Sequence, residues 1–168
     1  MLKFLQEFID KQYQSYKLSN QNLDAFSKYL HDPETSEIPE PLVALPLFLP
    51  QMLQELTDFI RDTKNLEMKA LAGGLYTYVF NPYDYIDDEV LPPLGLVDDT
   101  LIVFYGMEII EAATPNQHFS ALQNSDLTEL VQKWESLLAA DLVTALKTYP
   151  RHISDVLATT NFENQKIS

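Results

Sequence analysis

The fold of this chain is decided by residues Tyr78–Asp99, which read Y-V-F-N-P-Y-D-Y-I-D-D-E-V-L-P-P-L-G-L-V-D-D. This stretch holds six carboxylates and three prolines within 22 residues, and long apolar segments lie on both sides of it. Proline removes a backbone donor and disfavours helical geometry at the preceding residue, so we expect Pro82 to end a helix. The stretch therefore predicts a turn between two helices.

The apolar segments on either side of this turn are each typical of a helix. Leu66–Phe80 has an apolar face at helical spacing, and Gly73-Gly74 in its middle predicts close approach by another helix. Asp99–Ala113 is apolar nearly all round, as expected of a buried central helix. We predict that these two helices pack antiparallel at the centre of the fold.

The flanks of the chain also follow helical periodicity. We predict an amphipathic helix at Leu2–Lys17, whose inward face is widened by Phe4 and Phe8. Further helices are expected at about Asn22–His31, within Leu42–Asp62, and from Ser125 or Asp126 onward. Pro150 is expected to interrupt the last of these, with one more helical turn near Ile153–Leu157.

These patterns together predict an all-α protein: a single compact bundle of six to eight helices. The length of 168 residues is typical of one domain, which we expect to span residues 1–158, followed by a mobile polar tail at 159–168.

The net charge of −14 limits which partners the protein can bind. Nucleic acids and anionic membrane surfaces are recognised by cations, so this balance argues against both. It favours a basic protein or a divalent cation. The chain has no cysteine, which excludes disulfides, thiolate metal sites and cysteine nucleophiles.

The location predicted from the sequence is the cytoplasm. The longest uncharged runs are Pro41–Gln54 and Ala70–Tyr83, and both are shorter than the roughly 20 residues of a membrane span. Residues 1–10 include acids and lack a continuous apolar core, so we expect no signal peptide.

Negative charge is concentrated in the second half of the fold. No lysine or arginine occurs between Lys69 and Lys133, and those 63 residues contain ten acids. Several of these acids also suit helix capping. We expect Asp84 to cap a short turn, Gly95 to provide a turn, Asp98 to act as the N-cap of the following helix and Asp99 to lie in its first turn.

The turn resembles the YkvA-like family, a bacterial and archaeal domain of unknown function, over about residues 70–113. The family pattern is Tyr-x-x-x-Pro-x-Asp-x-Ile-Pro-Asp followed by Gly-x-x-Asp-Asp. The matching positions are Tyr78, Pro82, Asp84, Ile86, Asp88, Gly95, Asp98 and Asp99. Asp87 stands where the family usually has proline. The resemblance implies two apolar helices joined by an acidic, proline-rich turn, and it implies no activity.

Three hypotheses for function remain open at this stage. The first is a non-enzymatic interaction or regulatory module that presents an acidic face to a basic protein. The residues expected to carry this role are Tyr78, Pro82, Asp84, Asp87, Asp88, Glu89, Gly95, Asp98 and Asp99. The second is a divalent-metal site, in an enzyme or a metal-regulated domain, with Asp84, Asp88, Asp98 and Asp99 as candidate ligands. The third is peripheral membrane association through the apolar central helices.

Enzymatic chemistry has little support in the residue pattern. The three histidines, His31, His118 and His152, are far apart along the chain and form no metal-binding pair motif. No activated nucleophile or phosphate-binding loop is recognisable. We therefore predict no catalytic residues and no cofactor apart from the alternative of a divalent cation.

Overall fold

The computed structural model describes the backbone of residues 2–18, 23–81, 84–87 and 93–167, and the side chains of 2–16, 23–81, 84–87 and 93–153. Within these residues the fold is all-α, as predicted. Its helices are α1 (Leu2–Leu18), α2 (Glu40–Val43), α3 (Leu49–Asp62), α4 (Leu66–Val79), α5 (Val97–Ala113), α6 (Ser125–Leu137) and α7 (Ala140–Ile167). Short 3-10 turns occur at Ser27–Tyr29, Leu45–Phe48, Leu94–Leu96 and Ala121–Gln123.

Helix α5 lies at the centre of the bundle. Its residues from Val97 to Met107 are all buried, which explains why its sequence is apolar on every side. Helix α4 packs on α5, α3 packs on both, and α7 also packs on both, while α1 packs against α3. The predicted central pair of helices is therefore confirmed as a contact between α4 and α5.

The close approach of α4 and α5 depends on a glycine. A Cβ atom added at Gly106 would lie 2.3 Å from Cδ1 of Leu75 on α4, well inside van der Waals contact. Gly74 plays a similar role towards α7, since a Cβ there would lie 2.9 Å from Cγ2 of Ile153. Gly73 has no such neighbour within 4 Å, so only the second glycine of the predicted pair serves close packing.

The predicted helix at about Asn22–His31 is wrong over its described part. Residues 24–26 form a turn and residues 27–29 a 3-10 turn, and Leu30 then forms an antiparallel bridge with Leu138. The His31 N–H donates to the Leu137 carbonyl at 2.8 Å, and the Ala139 N–H donates to the Tyr29 carbonyl at 2.8 Å. These bonds to a distant segment replace the bonds that a helix would make within itself.

The same bridge divides the long C-terminal helix that the sequence predicts. Helix α6 ends at Leu137, and Leu138 adopts extended backbone so that it can pair with Leu30. The cap before α6 is Asn124, one residue earlier than predicted, and its side chain accepts from the Asp126 and Leu127 N–H groups.

Pro150 does not interrupt α7 as the sequence predicts. The helix continues through this buried proline to Ile167, so the backbone of residues 159–167 is helical and the predicted end near Leu157 is wrong. Packing of α7 against α4 and α5 offsets the hydrogen bond that proline cannot make.

The face of α1 is narrower than predicted. Leu5, Ile9 and Tyr16 are buried, whereas Phe4 and Phe8 are 74% and 41% exposed and do not widen the inward face.

Candidate functional site

The turn between α4 and α5 is organised by the carboxylate of Asp98. Its Oδ2 atom accepts three hydrogen bonds: from the Tyr78 hydroxyl at 2.8 Å, the Tyr85 N–H at 3.0 Å and the Ile86 N–H at 3.1 Å. These donors belong to the end of α4 and to the connecting segment, while Asp98 itself lies in the first turn of α5. One side chain therefore fastens three consecutive parts of the chain together.

Asp98 is completely buried, so its charge must be compensated inside the protein. Hydrogen bonds to an ionised acceptor are roughly twice as strong as neutral ones, and the N-terminus of a helix favours a negative charge nearby. The prediction that Asp98 is the N-cap is wrong: the N-cap position belongs to Leu96, which makes no side-chain cap. The carboxylate turns towards α4 because buried donors are available there.

Tyr78 is the matching donor on α4. Burial raises the pKa of its hydroxyl above the ordinary value, and the nearby Asp98 carboxylate raises it further. The phenol consequently stays protonated and donates to Asp98. It also accepts from the Tyr85 N–H at 3.1 Å, so the Tyr85 donor is shared between the two side chains.

Asp99 follows in the same first turn of α5, as predicted, and is also completely buried. Its carboxylate adds to the field that raises the pKa of Tyr78. The next residue, Thr100, is buried as well and donates its hydroxyl to the Leu96 carbonyl at 2.7 Å. The start of α5 thus buries polar side chains in succession, all next to the positive end of the helix dipole.

An aromatic cluster connects this turn to α7. The ring of Tyr149 lies 5.0 Å from that of Tyr78 and 5.9 Å from that of Tyr85, measured between centroids. Tyr78 and Tyr85 are 6.4 Å apart. Tyr149 could not be associated with the turn from the sequence, because it lies 50 positions after Asp99 and no local pattern marks the contact.

The other predicted site residues have different environments. Asp87 is exposed, and its N–H donates to the Tyr29 hydroxyl at 3.3 Å. Asp84 is half-buried, and the residues after it form a bend and no helical turn. Gly95 is buried in the 3-10 turn before α5 and does not have the positive φ that a glycine-specific turn would require. The predictions for Pro82, Asp88 and Glu89 lie outside the described residues.

The structure brings together Tyr78, Asp98 and Asp99 in the core, with the Tyr85 backbone beside them. Asp98 and Asp99 cannot form part of an exposed acidic face because both are fully buried, so that part of the prediction is wrong. Within the described part of the chain, no group of three or more histidine, aspartate or glutamate side chains is arranged to hold a metal ion. Asp88, one of the four candidate ligands, is not among those residues.

A second set of polar side chains, not identified from the sequence, lies between α5, α6 and α7. The Tyr105 hydroxyl donates to Oε1 of Glu135 at 2.8 Å, and the Lys147 ammonium lies 3.2 Å from the same oxygen. The only sequence signal for this region is Glu108, which falls on an otherwise apolar helix three residues before Glu111.

Glu111 itself has a structural role. One of its carboxylate oxygens accepts from the Phe119 N–H at 2.8 Å, and the other lies 3.8 Å from Nδ1 of His118. It thereby holds the segment that follows α5, where Asn116 adopts a left-handed conformation with φ of 62°.

Comparison with known proteins agrees with the resemblance noted above. Residues 68–105 match the family model described as "Protein of unknown function (DUF1232)", the YkvA-like family. Neither the curated proteins nor the solved structures gave a match. The matched segment covers nearly all of α4, the turn and the first half of α5, which are the elements that Tyr78 and Asp98 connect. Residues 68–105 of this chain are therefore similar to the DUF1232, or YkvA-like, family, a domain of unknown function.

Proposed function

We propose that this chain is a non-enzymatic interaction module of the cytoplasm that presents an acidic face to a basic protein partner. The observation that carries the proposal is the distribution of charge. The net charge is −14, and residues 70–132 contain ten acids without a single lysine or arginine. A surface of one sign attracts partners of the opposite sign and accelerates their association.

The burial of each acid decides whether it can contribute to such a face. In the described part of this cation-free stretch, Asp87, Glu108, Asp126 and Glu129 are exposed, and Asp84 and Glu111 are half-buried. Asp98 and Asp99 are excluded by their complete burial. Asp87 is followed in the sequence by Asp88 and Glu89, which makes the connection between α4 and α5 the densest source of negative charge.

Exposed aromatic rings accompany these acids. Phe80 is 45% exposed at the end of α4, and Tyr85 is 38% exposed two residues before Asp87. Aromatic residues are enriched in protein interfaces, and their rings attract the ammonium and guanidinium groups of a basic partner. The combination of rings and carboxylates on one connecting segment supports binding of lysine- or arginine-rich surfaces.

A binding role is favoured over a catalytic one by the chemistry of the family motif. Tyr78 is held in its protonated form, and Oδ2 of Asp98 is committed to three donors. A general base or nucleophile must be able to exchange its proton with a substrate, and a fully buried side chain offers no access. These motif residues therefore serve the turn, and the exposed residues around it remain for a partner.

The test is a pull-down from native lysate with the wild-type chain, Asp87→Lys and Glu34→Lys as a matched charge reversal on an exposed connector residue. We expect a basic protein to be retained at about 50 mM salt and released at about 300 mM, because exposed charges are screened beyond the Debye length. Asp87→Lys should abolish retention while Glu34→Lys preserves it. Absence of any salt-sensitive partner, or equal loss with both variants, would contradict the proposal.

A metal site is the weaker alternative. It would need Asp84, Asp88, Asp98 and Asp99 to converge, and among the described residues no such cluster is formed. Melting temperatures measured with and without magnesium, calcium, manganese and zinc separate the two proposals, since a cation that binds the native state must raise its stability.

Membrane association through the apolar central helices has less support. The apolar residues of α5 are used within the core, so they are not available to a lipid surface in this fold. Within residues 2–18, 23–81, 84–87 and 93–167, no helix is long and apolar enough to cross a bilayer.

A further inference from the structure

A cleft of about 460 Å³ lies between α5, α6 and α7. Its wall includes the apolar side chains of Phe104, Ile109 and Val131. Charged groups from all three helices also reach it: Glu108 from α5, Glu135 from α6, and Lys147 and Arg151 from α7. A volume of this size lies within the range of small-molecule sites, and a lining that mixes apolar and charged side chains favours a ligand that carries charges itself.

Two of the four charged groups are already paired with each other. The Lys147 ammonium lies 3.2 Å from Oε1 of Glu135, and the Tyr105 hydroxyl donates to that same oxygen at 2.8 Å. The ammonium also lies 5.6 Å from the centre of the Tyr105 ring. These contacts hold Tyr105, Glu135 and Lys147 together on one side of the cleft, and the charges of Glu135 and Lys147 neutralise each other.

The remaining two charged groups, Arg151 and Glu108, have opposite signs and line the same cleft. Neither makes a hydrogen bond or an ion pair with the residues that the structure describes, and they do not pair with each other. Burial raises the pKa of the Glu108 carboxyl, and the negative charge of Glu135 raises it further, with Lys147 only partly opposing. A cation beside Glu108 would relieve this unfavourable field.

We propose that this cleft binds a small zwitterion of the amino-acid class, whose ammonium group pairs with Glu108 and whose carboxylate pairs with Arg151. The guanidinium of arginine presents paired N–H donors that match a carboxylate, and Arg151 uses none of these donors on the residues that the structure describes. The apolar part of the ligand would lie along Ile109 and Val131.

Both charges are needed on one ligand because the cleft contains groups of both signs. A simple anion would leave Glu108 unpaired and would lie near two carboxylates. A simple cation would be repelled by Lys147 and Arg151. Asp87 does not line this cleft, so the proposal does not depend on a protein partner bound at Asp87.

The first experiment compares four compounds on the wild-type chain by isothermal titration calorimetry at one ionic strength. The two zwitterions are the isomers norleucine, whose charges are adjacent, and ε-aminocaproate, whose charges are at opposite ends. The two singly charged compounds are caproate and hexylammonium. We expect at least one zwitterion to bind about tenfold or more tightly than both singly charged compounds. Equal affinity for a singly charged compound, or no binding of either zwitterion up to about 20 mM, would overturn the proposal.

The second experiment removes each charge in turn. We expect Glu108→Gln and Arg151→Gln each to weaken binding of the better zwitterion by about tenfold or more. The controls are Glu34→Gln and Lys133→Gln, which change the same charges on exposed residues outside the cleft and should leave binding unchanged. Unaltered binding in either cleft variant would overturn the assignment. If a cleft variant fails to fold by circular dichroism, the four-compound comparison on the wild type decides alone.

Discussion

Removal of the Tyr78 hydroxyl should destabilise the protein measurably. In Tyr78→Phe the ring stays in place and the hydrogen bonds of the hydroxyl are lost: the one it donates to Oδ2 of Asp98 at 2.8 Å and the longer one it accepts from the Tyr85 N–H at 3.1 Å. Asp98 keeps the N–H groups of Tyr85 and Ile86 as donors. The substitution therefore removes the hydroxyl while both backbone donors of the turn stay bonded to Asp98.

The size of the effect follows from burial. Tyr78 is 3% exposed and Asp98 is fully buried, so no water can replace the missing donor. Hydrogen bonds to charged groups contribute about 1.5–3 kcal/mol, and we expect the free energy of unfolding to fall by about 2 kcal/mol. For a protein of this length, that change corresponds to a decrease of roughly 4–8 °C in melting temperature.

Urea denaturation monitored by tryptophan fluorescence is a suitable assay. Trp134 is the only tryptophan of the chain and is completely buried, with its Nε1 donating to the Leu42 carbonyl at 2.8 Å. Unfolding will expose it to water and shift its emission. Tyr76→Phe is the matched control, because Tyr76 is on the same helix, is half-buried and donates no hydrogen bond within the described residues.

The result that would refute this reasoning is a loss below about 0.5 kcal/mol, or a loss equal to that of Tyr76→Phe. A double-mutant cycle with Asp98→Asn adds a stricter test. If the two side chains interact as the structure indicates, their coupling energy should exceed about 1 kcal/mol. A coupling near zero would mean that the hydrogen bond makes no net contribution to stability.

Three further predictions concern packing and pH. Gly106→Ala should lower the free energy of unfolding by about 1–3 kcal/mol, because its Cβ would lie within 2.3 Å of Leu75. Gly73→Ala has no neighbour within 4 Å and should raise the free energy of unfolding by about 0.5–1 kcal/mol. Urea denaturation distinguishes the two variants, and equal effects would contradict the packing account. Because the folded state raises the pKa of Glu108, the contribution of Glu108 to stability is lost as pH rises above the unfolded value of 4.5. The stability of Glu108→Gln relative to the wild type should therefore increase between pH 4.5 and neutral pH. A pH-independent difference would argue against the raised pKa. The pKa of Tyr78 is likewise raised, so Tyr78 contributes stability below pH 10.0 that is lost as pH rises above that value. The stability of Tyr78→Phe, followed by circular dichroism, should therefore fall less steeply with rising alkaline pH than that of the wild type. An unchanged slope would count against the burial of this phenol.

The central helices could be predicted from sequence because their signals are local. The apolar runs, Pro82 and the acids before α5 place two helices and a turn between them with little reference to the rest of the chain. The resemblance to the YkvA-like family marked Tyr78 and Asp98, and the capping argument marked Asp98 as well. The hydrogen bond between Tyr78 and Asp98 could not be predicted. An aspartate at the start of a helix looks the same in the sequence whether it caps that helix or accepts a hydrogen bond from a distant residue.

The errors lie where distant contacts decide local structure. The end of α6 at Leu137 has no glycine or proline to mark it, and it depends on the pairing of Leu138 with Leu30. Pro150 is tolerated inside α7 because that helix packs against α4 and α5. The exposure of Phe4 and Phe8 depends on which side of α1 faces α3. Each ring directly precedes a buried residue, Leu5 or Ile9, so periodicity alone does not exclude it from the inward face.

The bridge between Leu30 and Leu138 has a consequence for the order in which the chain folds. Closing a loop of roughly 100 residues costs about 4 kcal/mol of chain entropy, which must be offset before this pairing becomes favourable. The α4–α5 pair involves a much shorter loop, so we expect it to form first and the bridge to join the N-terminal third to the α6–α7 junction late. Substitutions at Leu30 should then accelerate unfolding while leaving the folding rate nearly unchanged, which stopped-flow kinetics can measure. Residues 68–105 would then act as the folding nucleus onto which the remaining helices assemble.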